Sequence, residues 1–180
     1  MKNIEKALNI GSEFLKENFI ISYQLDSELL LGKILNKNRE YLFLNNKQNL
    51  NEEIIDKFKI LLNRRKKKEP VAYILKCKEF WKNNFYVDKN VLIPRPDTEI
   101  LIEEIMKIYK KERKLTVLDI GTGSGCIIIS LLKDRPKFKG TAIDISKRAL
   151  NIAKYNAKIH HLSNRIKFYK SSVDNFFKGK

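Results

Sequence analysis

The sequence predicts an α/β protein: a small helical domain, then a β-hairpin, then strands of a parallel sheet of the doubly wound kind. Apolar residues recur at helical spacing through roughly the first 60 positions. Aromatic and β-branched residues then surround the turn formers of "EFWKNNFYVDKNVLI". From Leu115 onward, short strand and helix patterns alternate, and the first strand runs into three glycines.

In "IEKALNIGSEFLKENF", Ile4, Leu8, Phe14, Leu15 and Phe19 fall near one helical stripe. Asp26 is expected to cap a second helix over "SELLLGKIL". "NKNRE" breaks the pattern, and "NLNEEIIDKFKILLNRR" restores it through Ile54, Ile55, Phe58, Leu61 and Leu62. The run Arg64–Arg65–Lys66–Lys67–Lys68 reads as a solvated helix end favoured by the macrodipole, with contact to RNA or an acidic protein as the alternative. This module has no catalytic constellation of its own.

After Glu69–Pro70 a hairpin is expected around "KNN", packed by Phe80, Trp81, Phe85 and Tyr86. Pro94 and Pro96 then hold Arg95 in an extended segment, as a structural clamp or part of a site wall. Asp97 or Thr98 is expected to cap the following helix, with Glu99 in its first turn. The rest reads as strand "TVLDI", loop "GTGSG", helix "CIIISLLKD", strand "GTAID", helix "SKRALNIAKYNAKIHHL" and strand "RIKFYKSS".

The chain is long enough for one full domain or a small domain with part of a second, and 43% hydrophobic residues suffice for a core. No stretch approaches the ~20 apolar residues of a membrane span, and the N-terminus reads as neither a secretory nor a transit signal. Cys77 and Cys126 lack metal-ligand spacing and read as reduced thiols of a cytoplasmic protein. His160 and His161 read as solvated rather than as ligands, and no metal is expected. A net charge of +16 invites a nucleic-acid reading, but it comes from 29 Lys against 8 Arg, and the better phosphate reader is the scarce one.

The glycine loop is D-x-G-x-G-x-G, Asp119 to Gly125. Cys126 stands where a dinucleotide fingerprint needs glycine, and no P-loop lysine follows. Asp144 closes the second strand, where an acidic side chain accepts hydrogen bonds from both hydroxyls of a ribose. A nucleoside with an amino-acid tail and no phosphate fits, which points to S-adenosylmethionine. The bland alternative is a tight turn with Asp144 capping a helix.

"EPVAYILKCKEFW", "VLIPRPDTEILIE" and "VLDIGTGSGCIIISLL" together resemble the bacterial peptide chain release factor N5-glutamine methyltransferases (the PrmC/HemK group). The resemblance implies a helical substrate-recognition domain at 1–68, a β-hairpin linker at 69–93 and the first half of a class I (Rossmann-like) S-adenosylmethionine-dependent methyltransferase domain at 94–180. It implies that Gly121, Thr122, Gly123, Ser124 and Gly125 cradle the methionine moiety, that Asp144 holds the ribose, and that Val173 packs at the adenine. Arg95, Asp97, Thr98 and Glu99 would sit near the substrate-facing wall. The helical module and its basic end would touch the release factor, in a cytoplasmic, monomeric enzyme that binds neither membrane nor a specific nucleic acid. The methylated group is the glutamine side-chain amide of a Gly-Gly-Gln motif.

The sequence departs from the family at three places. Lys76 stands where the family has glycine before the hairpin. "SSVDNFF" puts Ser172 and Val173 at the adenine contact, with Asp174 a local shift away. The family's catalytic Asn-Pro-Pro-Tyr is absent, since the four prolines are Pro70, Pro94, Pro96 and Pro136. The expectation is therefore a shortened chain that ends before the fourth strand, with no catalytic residue of its own and with an unpaired edge on its last strand. A non-catalytic release-factor-binding module or a decayed gene product is the alternative. A nucleic-acid N-methyltransferase would share the glycine loop, but the helical module and "IPRPDTE" argue against it.

Overall fold

The computed structural model describes residues 2–178, and the chain forms two compact units, residues 1–75 and 76–180. The first unit is helical: α1 (Ile4–Glu17), α2 (Tyr23–Leu35), α3 (Arg39–Leu44), α4 (Glu52–Lys66) and α5 (Val71–Leu75). Ile4, Ala7, Gly11 and Leu15 form the buried stripe of α1, at the spacing that puts residues on one helical face. They meet Leu30, Leu31, Leu42 and Phe58 in one core. Gly11 is needed at that crossing, because a Cβ there would stand 2.7 Å from both the Phe58 ring and Ser27 Oγ.

Three asparagines cap these helices through their side chains: Asn3 accepts from Lys6 N, Asn38 from Tyr41 N and Asn51 from Ile54 N. The Asn38 cap accounts for α3, which the polar "NKNRE" hides as an apparent break. Asp26 is not the cap of α2. That helix starts at Tyr23 after Ser22, and Asp26 is buried inside it, accepting from Ser22 Oγ and Arg65 Nε.

In the second unit a hairpin, β1 (Lys78–Phe80) and β2 (Asn83–Phe85), precedes α6 (Thr98–Ile108). Its turn is Trp81–Lys82, earlier than the expected "KNN", and both residues have positive φ (45° and 63°). Tertiary bonds hold this turn without glycine: Trp81 N donates to Glu99 Oε1 and Trp81 Nε1 to Asp134 Oδ2. Phe80 and Phe85 meet edge to face at 6.2 Å and are buried, as their pattern predicts. Lys76 adopts φ 58°, so lysine takes the conformation that glycine favours. Neither Asp97 nor Thr98 caps α6 by a side chain. Asp97 is itself in the right-handed helical region, so the backbone is already turning when it arrives.

The parallel sheet is β3 (Thr116–Ile120), β4 (Lys139–Asp144) and β5 (Ile166–Lys170), in the order β3-β4-β5, with α7 (Cys126–Asp134) and α8 (Lys147–Ile159) as the crossovers. A short α9 (Val173–Lys178) follows. α7 sits tightly on β4, since a Cβ on Gly140 would come within 2.5 Å of Ile128 Cδ1. Ile128, Ile129, Leu132 and Ala142 form the centre of this core. Among the described residues β5 is an edge strand, as expected, and so is β3.

Candidate functional site

Ile120 of β3 lies opposite Ile143 of β4, so the glycine loop and Asp144 emerge side by side at the carboxyl end of the sheet. That is where open α/β sheets bind ligands. The Gly121 and Thr122 amides both donate to the Ile143 carbonyl (2.9 and 3.0 Å), and Gly125 N donates to Thr122 O (2.8 Å). Asp144 ties the loop to its own strand: Oδ2 accepts from Gly123 N at 3.0 Å and Oδ1 from Ser146 N at 2.8 Å. A carboxylate offers about four lone-pair positions, so room for two more donors remains.

The three glycines do different things. Gly121, Gly123 and Gly125 have φ of 71°, 54° and 79°. A Cβ on Gly121 would meet nothing within 4 Å, and one on Gly123 only the Gly121 carbonyl at 3.9 Å, so the loop faces open space there. A Cβ on Gly125 would stand 3.0 Å from Ile129 Cδ1 and 3.3 Å from Ala153 Cβ, so this glycine lets α7 pack on α8. Thr122 and Ser124 are buried; the Thr122 hydroxyl donates to Asp119 Oδ2 (2.7 Å). Their side chains support the loop from within.

Asp119 was part of the loop pattern but not among the expected contacts. Burial pushes its carboxyl pKa up, the nearby Asp144 charge adds to this, and the Thr122 hydroxyl opposes it. The fully buried Asn156 of α8 is a second unanticipated residue. Its Nδ2 donates to Ser124 O (2.8 Å) and Tyr86 O (2.9 Å), while its Oδ1 accepts from Tyr86 N (2.8 Å). One amide thus staples the glycine loop to the chain leaving the hairpin. A third is Ile145, next to Asp144 and 72% exposed. An apolar residue between two polar ones, "DIS", was its only signal.

Ser171 N donates to Asp144 O at 3.1 Å, which brings the segment after β5 alongside. Val173, the first residue of α9, and Asp174 are both exposed. Arg95 and Asp97 are exposed, and Glu99 is spent on the hairpin turn through Trp81 N. His160 is not solvated as expected: Nε2 lies 3.0 Å from Asn84 O, the ring packs 4.9 Å from Phe85, and burial lowers its pKa. Cys126 is buried and its thiol pKa is pushed up to about 11, mainly by that burial; neither cysteine is in a disulfide. Among the described residues no group of three His, Cys, Asp or Glu side chains is placed to hold a metal, and no helix is long and apolar enough to cross a membrane.

The fold and this loop resemble those of a methyltransferase domain, and a family model agrees. A methyltransferase domain family matches residues 111–179, and the PrmC N-terminal domain matches residues 6–75. The chain is similar to release factor glutamine methyltransferases over part of their length. The enzyme of that name from Coxiella burnetii is 45% identical over 78% of this chain and 51% of its own length. The one from Clostridium botulinum is 39% identical over 91% and 58%, and a bifunctional methyltransferase of Rickettsia felis is 37% identical over 94% and 37%. The chain thus spans between about a third and three fifths of these relatives. In structure, the human methyltransferase 10 domain containing protein covers 48% of the chain at 26% identity, with a TM-score of 0.42.

Proposed function

We propose that this chain carries the substrate-recognition and cofactor-binding parts of an S-adenosylmethionine-dependent enzyme that methylates the glutamine amide of the Gly-Gly-Gln motif in peptide chain release factors. The observation that supports it most is the open face at Gly121 and Gly123, locked to Asp144 through the Gly123 amide. The residues present fit the cofactor. The backbone of Gly121 to Gly125 makes room for the methionine tail, with Asp119 beneath it as the counter-charge for an ammonium. The Asp144 carboxylate is left able to accept from two ribose hydroxyls, and Ile145 and Val173 offer apolar surface to a base. The cofactor supplies an electrophilic methyl group on a sulfonium; the protein's part is to exclude water and fix the approach of a weakly nucleophilic amide.

Asn-Pro-Pro-Tyr, which in this family would orient that amide, does not occur in the sequence. A second reading is that the chain holds a release factor without modifying it. A release-factor pull-down paired with a methyl-transfer assay separates the two. Transfer to the Gly-Gly-Gln glutamine establishes the enzyme, binding without transfer establishes the module, and preferential methylation of DNA or RNA refutes both.

A further inference from the structure

Two large apolar side chains of the helical unit stand in solvent on one turn. Phe19 is 89% exposed and Ile21 98%, while Ile20 between them is buried. The turn closes α1 as a Schellman motif: Phe19 N donates to Lys16 O (3.0 Å) and Ile20 N to Leu15 O (3.1 Å), which puts Phe19 at φ 57°. Glycine or asparagine is what that left-handed position favours. A phenylalanine there is strained, and its exposed ring gains no packing in return.

Side chains from the end of α4 hold the turn from both ends. Lys68 Nζ donates to the carbonyls of Asn18 (2.7 Å) and Phe19 (2.9 Å). At the far end Ser22 Oγ donates to Asp26 Oδ2 (2.8 Å), to which Arg65 Nε also donates (2.7 Å). Lys66 sits over the Phe14 ring at 5.4 Å and Lys16 over the Tyr23 ring at 5.8 Å. The result is a rigid turn that presents an aromatic and a branched aliphatic side chain between ammonium groups. A residue that breaks a local rule without benefit to the folded chain marks a place where function has set the choice.

We infer that Phe19 and Ile21 are a preformed anchor that enters an apolar pocket rimmed by carboxylates on the release factor; this rests on the proposed function above. Charge selects the rim. Lys16, Lys66, Lys67 and Lys68 lie at or just past the ends of α1 and α4 beside the turn, against one exposed carboxylate there, Glu17, whereas Asp26 and Glu69 are each occupied by an arginine. Two side chains bury less apolar surface than one acyl chain, which by itself anchors a protein to a bilayer only marginally. A protein pocket, where a few well-packed anchors dominate affinity, suits them better.

The test uses the full chain and the double substitution Phe19→Gly with Ile21→Ser. Glycine suits the backbone and both side chains are exposed, so the midpoint of thermal unfolding stays level or rises, while release-factor affinity in calorimetry falls at least tenfold. Affinity within twofold of the parent overturns the anchor and leaves the proposed function standing. A lowered unfolding midpoint overturns it too, because Phe19 is then structural. If the parent chain binds S-adenosylmethionine but no release factor, the release-factor reading fails and takes the anchor with it. Phe19-dependent sedimentation with phosphatidylglycerol vesicles, with release-factor binding unchanged, assigns the turn to a membrane instead.

Discussion

The two units solve the problem of burying a core differently. The helical unit closes on itself, with Leu30, Leu31, Leu42 and Phe58 enclosed by helices that side-chain asparagines cap. Among the described residues the parallel sheet of the second unit has three strands, with β3 and β5 at its edges. Ile120 and Tyr169, on those two strands, are about half exposed. Their charge differs as well: residues 1–75 hold 14 Lys and Arg against 10 Asp and Glu, and residues 76–180 hold 23 against 11. A closed core carries its own stability, whereas the half-sheet organises a ligand loop with fewer layers around it. In the first unit Arg65 and Asp26 form a largely buried ion pair, whereas in the second Lys107 makes the only ion pairs among the described residues and Arg135 and Arg165 donate to backbone carbonyls instead.

The largest effect is expected in the closed unit. Arg65→Met leaves the buried Asp26 carboxylate with only the Ser22 hydroxyl, and should cost about 3 kcal/mol of stability by denaturant unfolding. A loss below ~0.5 kcal/mol would mean that the basic run is merely solvated. In the second unit Asn156→Ala removes the partners of Ser124 O, Tyr86 N and Tyr86 O together, with an expected cost of about 2–4 kcal/mol. Hydrogen exchange should then quicken at the glycine loop before it quickens at α1.

Asp119→Asn separates the loop's stability from its ligand. The folded-state pKa of Asp119 is raised, so its ionised form subtracts from stability at neutral pH, and that loss vanishes as the pH falls through the folded value. The variant should therefore unfold at a higher temperature than the parent at pH 7.5, with the difference shrinking toward pH 4. An equal or lower midpoint at pH 7.5 contradicts the burial argument. The smallest effect concerns thiols. At pH 8 an alkylating reagent should modify Cys77 at least tenfold faster than the buried Cys126, read by peptide mass mapping.

The alternation after Leu115 was legible almost residue for residue. "TVLDI" and "CIIISLLKD" are β3 and α7, because their apolar runs have the length and spacing of a buried strand and a helix on a sheet. What the sequence concealed depends on long-range partners. The hairpin turn at Trp81–Lys82 has no turn-forming residue and is held by Glu99 and Asp134. Asp26 looks like a cap until Arg65, 39 positions away, is seen to pair with it. Asn156 reads as an ordinary helical polar residue, and only the fold brings Ser124 and Tyr86 to it. Within the site, the pattern located the glycines and Asp144 but could not tell the open positions, Gly121 and Gly123, from the packed one, Gly125.

The contrast between a closed unit and a half-sheet turns on whether the half-sheet still binds its ligand. Titrating S-adenosylmethionine into the intact chain and into Asp144→Ala by calorimetry decides this. The account predicts saturable binding to the parent, weakened by about 1–3 kcal/mol when the carboxylate is removed. A folded parent that takes up no cofactor, or an Asp144→Ala variant that binds as tightly as the parent, would contradict it.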